Sequence, residues 1–408
     1  MSGGFLEGVR VVECALLGPN ALTAHLVDFG AEVIKIEAPG GDYVRQMTWP
    51  IVEGDSLLHL HMNRGKDSLV LDLKVPEANA VFEELVRNSD VVVEGMRPGF
   101  LEKRGFGYER LKELNPAIVV CSISGYGATG PYRDLPSHGI AYDTWAGCLA
   151  PVVDDQGFTR IPDQVNIGIT CGPAFAAMAI LAALVRAKST GVGASMEVAQ
   201  SDSAAYFDWY RIETYKAYQR PQSEVTGNAS DNFERRPPGL AGMWHGVRYQ
   251  IYESSDGHVL FMASEQAFWK NFCEGIGRMD LFEKWPGKRI ADHALGNLEL
   301  QAILRDIFKT KTTQEWLAFA NEHNTTIAPV NTPGTILDDP QFHERMTWFP
   351  KEQLGADELA IPIHIEGEEL PVPHRAPTVG EHTDEVLRRV LGYDDDQIAR
   401  VRASGALG

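Results

Sequence analysis

The chain has 408 residues, of which 44% are hydrophobic, and its formal net charge is −19. This length predicts two domains, or one large and one small, with enough apolar residues for buried cores. The charge argues against nucleic acid or an anionic membrane as a partner, because both would repel the chain.

The first part of the chain alternates between predicted strands and helices. Val9–Glu13 and Glu32–Ile36 are predicted strands on either side of a helix, Ala21–Phe29, which together form a parallel βαβ unit. The alternation continues through Ser68–Leu73, Glu77–Asn88, Asp90–Glu94, Tyr108–Leu114 and Ala117–Ile123. It predicts an α/β fold with an open, mostly parallel sheet and helices on both faces.

Two patterns in this first part match known motifs without their usual context. Gly125–Gly130 fits GxGxxG after a strand, but Pro131 and Pro136 prevent the helix that a dinucleotide site requires, so we predict a tight loop. His59 and His61 alternate on a predicted strand without a third ligand at metal spacing, so no metal site is expected.

The most apolar stretch, Ala174–Val185, predicts a buried helix that begins at Gly172-Pro173 and ends at Gly191. At roughly 16 residues, with charges beside it, such a helix is too short to span a bilayer. Its free N–H groups are expected near Ile167–Gly172, where an anionic group would be favoured.

Beyond Gln200 the pattern changes to a helix, a polar crossing and a predicted hairpin, Val247–Glu253 with His258–Ala263. Three helices, a turn-rich return and two terminal helices follow. The predicted organisation is a first part of the large domain in 1–200, a linker helix in 201–224, a small α/β domain in 225–330, and a return linker with the C-terminal part of the large domain in 331–408.

Cysteine usage and the N-terminus indicate the compartment. The five cysteines are dispersed, odd in number and lack CxxC spacing, which predicts a reduced protein without structural zinc. The N-terminus lacks a basic segment followed by an apolar one, so no signal peptide is expected and we predict a cytoplasmic protein.

Basic side chains are spaced along the predicted strand ends of the first domain, namely Arg64, Lys66, Lys74, Arg97, Lys103 and Arg104. Lys74 follows one strand, and Arg97, Lys103 and Arg104 follow the next. Ligands of open α/β sheets bind beyond the carboxyl ends of the strands. In an acidic protein these clusters indicate a phosphate site for a small anionic ligand, with ordinary surface charge as the alternative.

Four segments resemble the class III CoA-transferase family, which includes formyl-CoA transferase, carnitine CoA-transferase and the α-methylacyl-CoA racemases. They are Val11–Asp42, Asn63–Lys74, Val91–Tyr132 and Arg375–Tyr393. The resemblance covers nearly the whole chain. It implies a CoA thioester as substrate, no permanently bound cofactor, a Rossmann-like large domain formed by both termini, and an interlocked, ring-like dimer.

The resemblance also implies which residues contact CoA, since the family's adenine- and phosphate-binding segments can be carried over by position onto this chain. The residues are Leu71, Lys74, Met96, Arg97, Lys103 and Arg104. The glycine-rich cover of the transferase active site falls on residues 239–242, where this chain has two glycines.

The family's catalytic aspartate falls on Ile169. In the transferases that carboxylate attacks the thioester and carries the acyl group as a mixed anhydride, which isoleucine cannot do. The racemase histidine falls on His138, but the acidic residue expected after it is Gly139. Cys171 could attack a thioester without yielding an anhydride, and Asp163 matches only in a shifted register.

The resemblance therefore favours the non-nucleophilic subunit of a heteromeric class III CoA-transferase, paired with a homologous chain that carries the aspartate. The chain is similar to that subunit in enzymes that move CoA from succinyl-CoA to (R)-benzylsuccinate in anaerobic toluene degradation. Two alternatives stay open: an active homodimeric transferase or racemase that uses another residue, and a non-catalytic CoA-binding regulatory protein.

Overall fold

The computed structural model describes residues 4–228, 233–235, 241–289 and 292–408. The chain divides into two compact units, the first formed by Met1–Asp208 with Met346–Gly408 and the second by Trp209–Arg345. Residues 201–224, predicted as one linker helix, are divided between the two units. Residues 331–345, predicted as part of the return linker, belong to the second unit.

The strands of the described residues are numbered in chain order. They are β1 (Arg10–Ala15), β2 (Glu32–Glu37), β3 (Ile51–Val52), β4 (Asp55–Ser56), β5 (Lys66–Val70), β6 (Val91–Gly95), β7 (Val119–Ser124), β8 (Val152–Val153), β9 (Thr159–Arg160), β10 (Ala194–Ala199), β11 (Tyr249–Glu253), β12 (His258–Met262), β13 (Ile327–Pro329), β14 (Trp348–Phe349) and β15 (Glu358–Leu359).

The α-helices of the described residues follow the same order. They are α1 (Asn20–Asp28), α2 (Leu57–Asn63), α3 (Pro76–Arg87), α4 (Tyr108–Leu114), α5 (Ile140–Ala146), α6 (Ile167–Thr190), α7 (Gln200–Phe207), α8 (Trp209–Ala217), α9 (Ala241–Trp244), α10 (Gln266–Gly275), α11 (Met279–Lys284), α12 (Leu298–Phe308), α13 (Thr313–His323), α14 (Pro340–Arg345), α15 (Lys351–Leu354), α16 (Thr383–Leu391) and α17 (Asp395–Ala403).

A six-stranded sheet in the order β10-β7-β6-β1-β2-β5 forms the centre of the first unit. Every pairing in it is parallel. The predicted Rossmann-like α/β fold is confirmed. The strand order reverses between β1 and β6, and open α/β sheets bind ligands beyond the carboxyl ends of the strands at such a point.

Two hydrophobic cores cover the two faces of this sheet. One contains side chains of α3, α4, α16 and α17, so the C-terminal helices complete a unit that the N-terminal strands begin. The other contains side chains of α1 and α6. The inner strands β1, β6 and β7 are buried along most of their length, which explains why they are mostly apolar in the sequence, whereas the edge strand β10 alternates between partly buried and exposed residues.

Helix α6 is longer than the sequence pattern predicts. It has 24 residues and contains Pro173 within it, so the predicted start at Gly172-Pro173 is wrong. The reason is a cap from elsewhere in the chain: the Asp143 carboxylate accepts hydrogen bonds from the N–H groups of Ile167 (3.1 Å) and Gly168 (2.7 Å).

At this length α6 is long and apolar enough to cross a membrane, so the expectation that it is too short is also wrong. Its residues Ala176, Ile180 and Leu184 pack in the second core of the sheet. This packing explains the apolar residues on the face toward the sheet as those of a core helix. Met178 and Val185 of the same helix are exposed, so the prediction that the whole helix is buried is wrong.

The histidines predicted on a strand lie on α2 instead. The Ser56 side chain accepts a hydrogen bond from the N–H of His59 and caps this helix. His59 is buried, and burial lowers its pKa to about 4. In the described part of the chain no group of three or more His, Cys, Asp or Glu residues could hold a metal ion.

The second unit has a small antiparallel sheet, β11-β12-β13, packed against helices. The predicted hairpin is present as β11 and β12, with Glu253 opposite His258. The third strand, β13, was not predicted, and only its last residue, Pro329, lies in the segment Pro329–Pro340 that was predicted as a turn-rich return. Its core is aromatic, with Trp269, Phe272 and Trp316 fully buried.

Candidate active site

A cavity of about 390 Å³ lies at the carboxyl ends of four strands of the parallel sheet. It is lined by residues that follow β1, β6, β7 and β10, and by the first turn of α6. These segments are Leu16–Pro19, Gly95–Pro98, Ser124–Tyr126, Arg133–Gly139, and the single residues Tyr43, Lys103, Ile123, Tyr142, Ile169 and Gln200. The cavity therefore lies where the strand order reverses.

Cations outnumber carboxylates among the charged side chains of the lining. Arg97, Lys103 and Arg133 line the cavity, whereas Asp134 is the one carboxylate among the described lining residues. Arg133 and Asp134 form an exposed ion pair at 3.3 Å. In a chain with a net charge of −19, this local excess of positive charge favours an anionic ligand.

A buried carboxylate anchors the segment that carries Arg97 and Lys103. Glu94, at the end of β6, accepts hydrogen bonds from the N–H of Leu101 (2.8 Å) and from the Ser122 hydroxyl (3.0 Å). The Leu101 contact fixes the turn that begins the 3₁₀ segment Glu102–Arg104. The two cations are therefore placed by the end of the sheet, although both side chains are exposed to solvent.

A second buried network holds the loop that follows β1. The Lys35 ammonium donates to the Ala15 carbonyl (2.9 Å) and the Asn20 side chain (2.8 Å). Asn20 in turn donates to Asp42 at 2.7 Å, and Asp42 also accepts from the N–H of Leu17 at 3.4 Å. Leu17 has a φ of 57°, a region that costs a non-glycine residue energy. The network fixes this strained part of the cavity wall.

Ile169 lies in the first turn of α6, at the wall of the cavity. Two glycines flank its side chain. A Cβ atom on Gly18 would lie 3.4 Å from Ile169 Cγ2, and a Cβ atom on Gly139 would lie 3.5 Å from the same atom. The Ile169 side chain therefore lies between two backbone segments, at Gly18 and Gly139, that carry no side chains of their own.

The anionic group expected at the start of α6 is part of the chain itself. Asp143 is fully buried and takes the first two N–H groups of the helix. These two donors are occupied by a carboxylate of the chain itself and are not available to a ligand. The carboxylate belongs to α5 and serves as a cap.

Aromatic side chains form another part of the wall. Tyr43, Tyr126 and Tyr142 line the cavity. The Tyr126 ring packs edge-on against Tyr142 at 5.8 Å and against Tyr132 at 5.6 Å. Burial raises the pKa of the Tyr142 phenol. These rings provide an apolar surface beside the cationic residues.

The structure brings together some of the residues predicted from the sequence. Met96, Arg97, Lys103, His138 and Ile169 line this one cavity.

Three predicted CoA contacts lie elsewhere. Leu71 is buried in the core of the sheet. Lys74 follows β5, and its N–H donates to Asp72. Arg104 places its guanidinium 3.8 Å from the centre of the Phe100 ring. None of the three is among the described lining residues.

The other nucleophiles considered from the sequence are not at the cavity wall. Asp163 is exposed in the loop before α6, and Cys171 is buried one turn into it. Burial raises the pKa of the Cys171 thiol to about 11, which leaves little thiolate at neutral pH. In segment 239–242, residues 239 and 240 lie outside the described residues, and Ala241 begins α9.

Most lining residues were not predicted from the sequence, among them Tyr126, Arg133, Tyr142 and Gln200. Arg133 follows β7 closely enough that the strand-end argument applied to Lys103 could have found it. The others become visible only once the loop paths are known.

The model of CoA-transferase family III matches residues 6–383 of the chain. The chain belongs to CoA-transferase family III. CoA thioester substrates are typical of this family, and the cationic cavity at the strand ends accords with an anionic ligand of that kind.

Relatives and solved structures align over nearly the whole chain. The chain is 29% identical to the succinyl-CoA–L-malate CoA-transferase beta subunit of Chloroflexus aurantiacus, over 98% of this chain and 97% of that one. It is 32% identical to the succinyl-CoA:mesaconate CoA-transferase of Haloarcula hispanica, over 94% and 96%. A CAIB/BAIF family protein from Brucella suis superposes with a TM-score of 0.77 at 26% identity, over 95% of this chain and all of that one.

Proposed function

We propose that this chain is the non-nucleophilic subunit of a heteromeric class III CoA-transferase in the cytoplasm. It binds a CoA thioester in the cavity at the strand ends, while a homologous partner chain supplies the aspartate that attacks the thioester. The enzyme moves CoA from succinyl-CoA to a carboxylic acid such as (R)-benzylsuccinate.

The observation that carries this proposal is Ile169. Its side chain lies in the cavity wall between Gly18 and Gly139, and the resemblance to the family carries the catalytic aspartate onto this position. An alkyl group can neither attack a thioester nor carry an acyl group. Among the described lining residues, the remaining carboxylate, Asp134, is largely exposed and paired with Arg133.

The cationic and aromatic residues that line the cavity support binding of a CoA thioester without a covalent step by this chain. Arg97, Lys103 and Arg133 offer charge-assisted hydrogen bonds to phosphate oxygens of CoA. Tyr126 and Tyr142 offer an apolar wall that accommodates an aromatic acid. In this assignment the chain holds and orients a thioester, and its own residues form no covalent bond to it.

Exposed apolar side chains on the first unit support a partner chain. They lie on α6, on the β8–β9 hairpin with the residues that follow it, and at the end of α7. The residues are Met178, Val185, Val153, Phe158, Ile161, Val165, Tyr206 and Phe207. Each of these large side chains is more than half exposed, and apolar residues of this kind are typical of an interface where they form a contiguous patch. We assign it to the interlocked dimer with the homologous chain.

A relative supports the heteromeric state. The Chloroflexus aurantiacus protein, which is 29% identical and aligned over 97% of its length, is named as a beta subunit. The corresponding arrangement here requires a second homologue with Asp at the position of Ile169.

The test is co-purification followed by a trapping assay. The tagged chain is isolated from its native host, and stoichiometric partners are identified by mass spectrometry. The chain alone and the complex are then incubated with succinyl-CoA and (R)-benzylsuccinate, and acyl-enzyme is trapped with hydroxylamine. We expect CoA transfer by the complex alone, and a label on the partner's aspartate alone.

Each alternative predicts a different result. Turnover by the chain alone, at a rate that a partner does not change, would establish a homodimeric enzyme and exclude the proposal. Binding of CoA without any partner or any transfer activity would instead establish a regulatory protein.

A further inference from the structure

Gln200 is the first residue of α7, directly after β10, and its side chain lines the cavity while the residue is only 2% exposed. Its Nε2 atom approaches the Ser124 carbonyl at 3.5 Å. Within the described part of the chain, its Oε1 atom accepts no hydrogen bond. A buried amide oxygen without a donor costs about 1–3 kcal/mol.

The orientation of this amide is set by its neighbour. A carbonyl oxygen can only accept, so the Ser124 carbonyl selects the NH₂ end of Gln200. Rotating the amide by 180° would place two acceptors against each other. The oxygen of Gln200 is therefore directed away from Ser124.

Gly18 shows where that oxygen points. A Cβ atom on Gly18 would lie 3.2 Å from Gln200 Oε1 and 3.4 Å from Ile169 Cγ2. One small volume above the Gly18 backbone thus contacts both a neutral acceptor and an alkyl group. Only a residue without a side chain leaves this volume to a ligand.

The chemistry of this volume selects one part of a CoA thioester. The phosphates require cations, which Arg97, Lys103 and Arg133 provide. A neutral acceptor beside an alkyl wall suits a neutral group with an N–H donor. The pantetheine arm, which joins the phosphates to the thioester, contains two secondary amides of this kind.

We propose that Gln200 is a binding residue of this site, whose Oε1 accepts a hydrogen bond from an amide N–H of the pantetheine arm as the arm passes over Gly18. The inference rests on the proposed binding of a CoA thioester in this cavity. It assigns Gln200 the recognition of the arm, and the cationic residues the recognition of the nucleotide end.

Calorimetric titrations of the chain in its isolated complex test the assignment. The Gln200→Met variant keeps the length of the side chain and removes its acceptor. We expect CoA to bind about 3- to 10-fold more weakly, the loss that corresponds to one neutral hydrogen bond. The affinity for 3′,5′-ADP, which lacks the arm, should not change.

Lys103→Ala is the matched control. It should weaken CoA and 3′,5′-ADP alike, because both carry the phosphates. Thermal unfolding of each variant verifies that the fold is retained.

A ligand-side experiment keeps the test valid if Gln200→Met does not fold. Two CoA analogues are used, each with one amide N–H replaced by an ester oxygen. One of them should bind the unmodified protein about 3- to 10-fold more weakly than CoA. Equal affinity for CoA and both analogues would overturn the assignment of Gln200.

The remaining outcomes separate the inference from the proposed function. If Gln200→Met weakens CoA and 3′,5′-ADP equally, or neither, the role of Gln200 is wrong while the CoA site stands. If this cavity binds no CoA at all, the proposed function is wrong, and the assignment of Gln200, which rests on it, is wrong as well.

Discussion

Glu358 makes the stability of the first unit dependent on pH in an unusual direction. Its side chain is buried on β15 and accepts from Arg64 at 3.2 Å, but Arg64 also forms a two-pronged pair with Asp28 at 2.7 and 2.9 Å. Two carboxylates thus share one guanidinium. The other oxygen of Glu358 has no hydrogen-bond partner among the described residues. Burial, opposed by Arg64, raises the pKa of Glu358 to about 7 from an ordinary 4.5.

The direction of this pH dependence follows from which state, folded or unfolded, binds the proton at Glu358 more tightly. Between pH 4.5 and 7 the folded chain binds a proton at Glu358 that the unfolded chain has released. The stabilisation from the protonated group is therefore complete below pH 4.5 and is lost as the pH rises through 7. The raised pKa corresponds to a loss of about 3 kcal/mol.

The variant Glu358→Gln is neutral at every pH and avoids this loss. We expect it to match the unmodified chain near pH 5 and to be more stable by about 2–3 kcal/mol at pH 8.5. For a unit of this size, that difference raises the melting temperature by roughly 4–10 °C.

The assay is calorimetric unfolding of both proteins at a series of pH values, with the difference taken at each pH. Glu352→Gln, an exposed position close in the chain, is the control and should show no trend. If Glu358→Gln instead lowers the melting temperature more at pH 8.5 than at pH 5, Glu358 is ionised and its pair with Arg64 stabilises the fold. The reasoning would then be wrong.

Three further predictions concern the cavity. Gly18→Ala should weaken CoA binding about 10-fold or more, because the added methyl group fills volume that the ligand would contact. Gly40→Ala is the control and should leave the affinity unchanged, because a Cβ atom there meets nothing within 4 Å. Equal titration curves for the two variants would show that the ligand does not pass over Gly18. Glu94→Gln should weaken the affinity for 3′,5′-ADP several-fold, because the turn at Leu101 loses about 1 kcal/mol of hydrogen-bond stabilisation. An unchanged affinity would mean that the turn keeps its conformation without the Glu94 carboxylate. Ile169→Asp should acquire less than about 1% of the acyl label that forms on the partner's aspartate, because hydrogen-bond donors positioned for the anhydride contribute about 10²- to 10³-fold to the rate. Efficient labelling of residue 169 with turnover would show instead that this cavity lacks nothing for catalysis except the aspartate side chain.

The sheet could be predicted from the sequence because its strands are short, apolar and separated by amphipathic helices. The start of α6 could not, since its cap comes from Asp143 on another helix rather than from a neighbouring residue. The strand predicted for His59 and His61 was wrong for a local reason. Ser56 is three residues before His59 and caps α2, a signal that was present in the sequence.

The cavity could be predicted in part. Arg97 and Lys103 closely follow a strand, so the rule that ligands bind at strand ends was sufficient. The same rule does not bring Lys74 or Arg104 to the lining, because β5 is an edge strand and Arg104 packs on Phe100. Gln200 could not be recognised, since its significance depends on an unsatisfied oxygen and on the closeness of Gly18.

If isoleucine stands in place of the nucleophile, as we propose, two properties that are linked in an active site become separate. In a transferase the thioester is consumed where it binds, so occupancy and acylation rise together. Under the proposed function, the cations, the aromatic wall and Gln200 of this cavity retain a thioester that meets no attacking group. If the proposed heteromer has one such cavity for each catalytic one, succinyl-CoA should leave more bound CoA than acylated aspartate.

Rapid gel filtration with quantification of both species measures the ratio. A value near two bound CoA groups for each acylated residue is expected before the acid acceptor is added. A ratio near one would mean that the cavity beside Ile169 stays empty during turnover, and that the chain contributes its fold and its interface to the enzyme rather than a binding site.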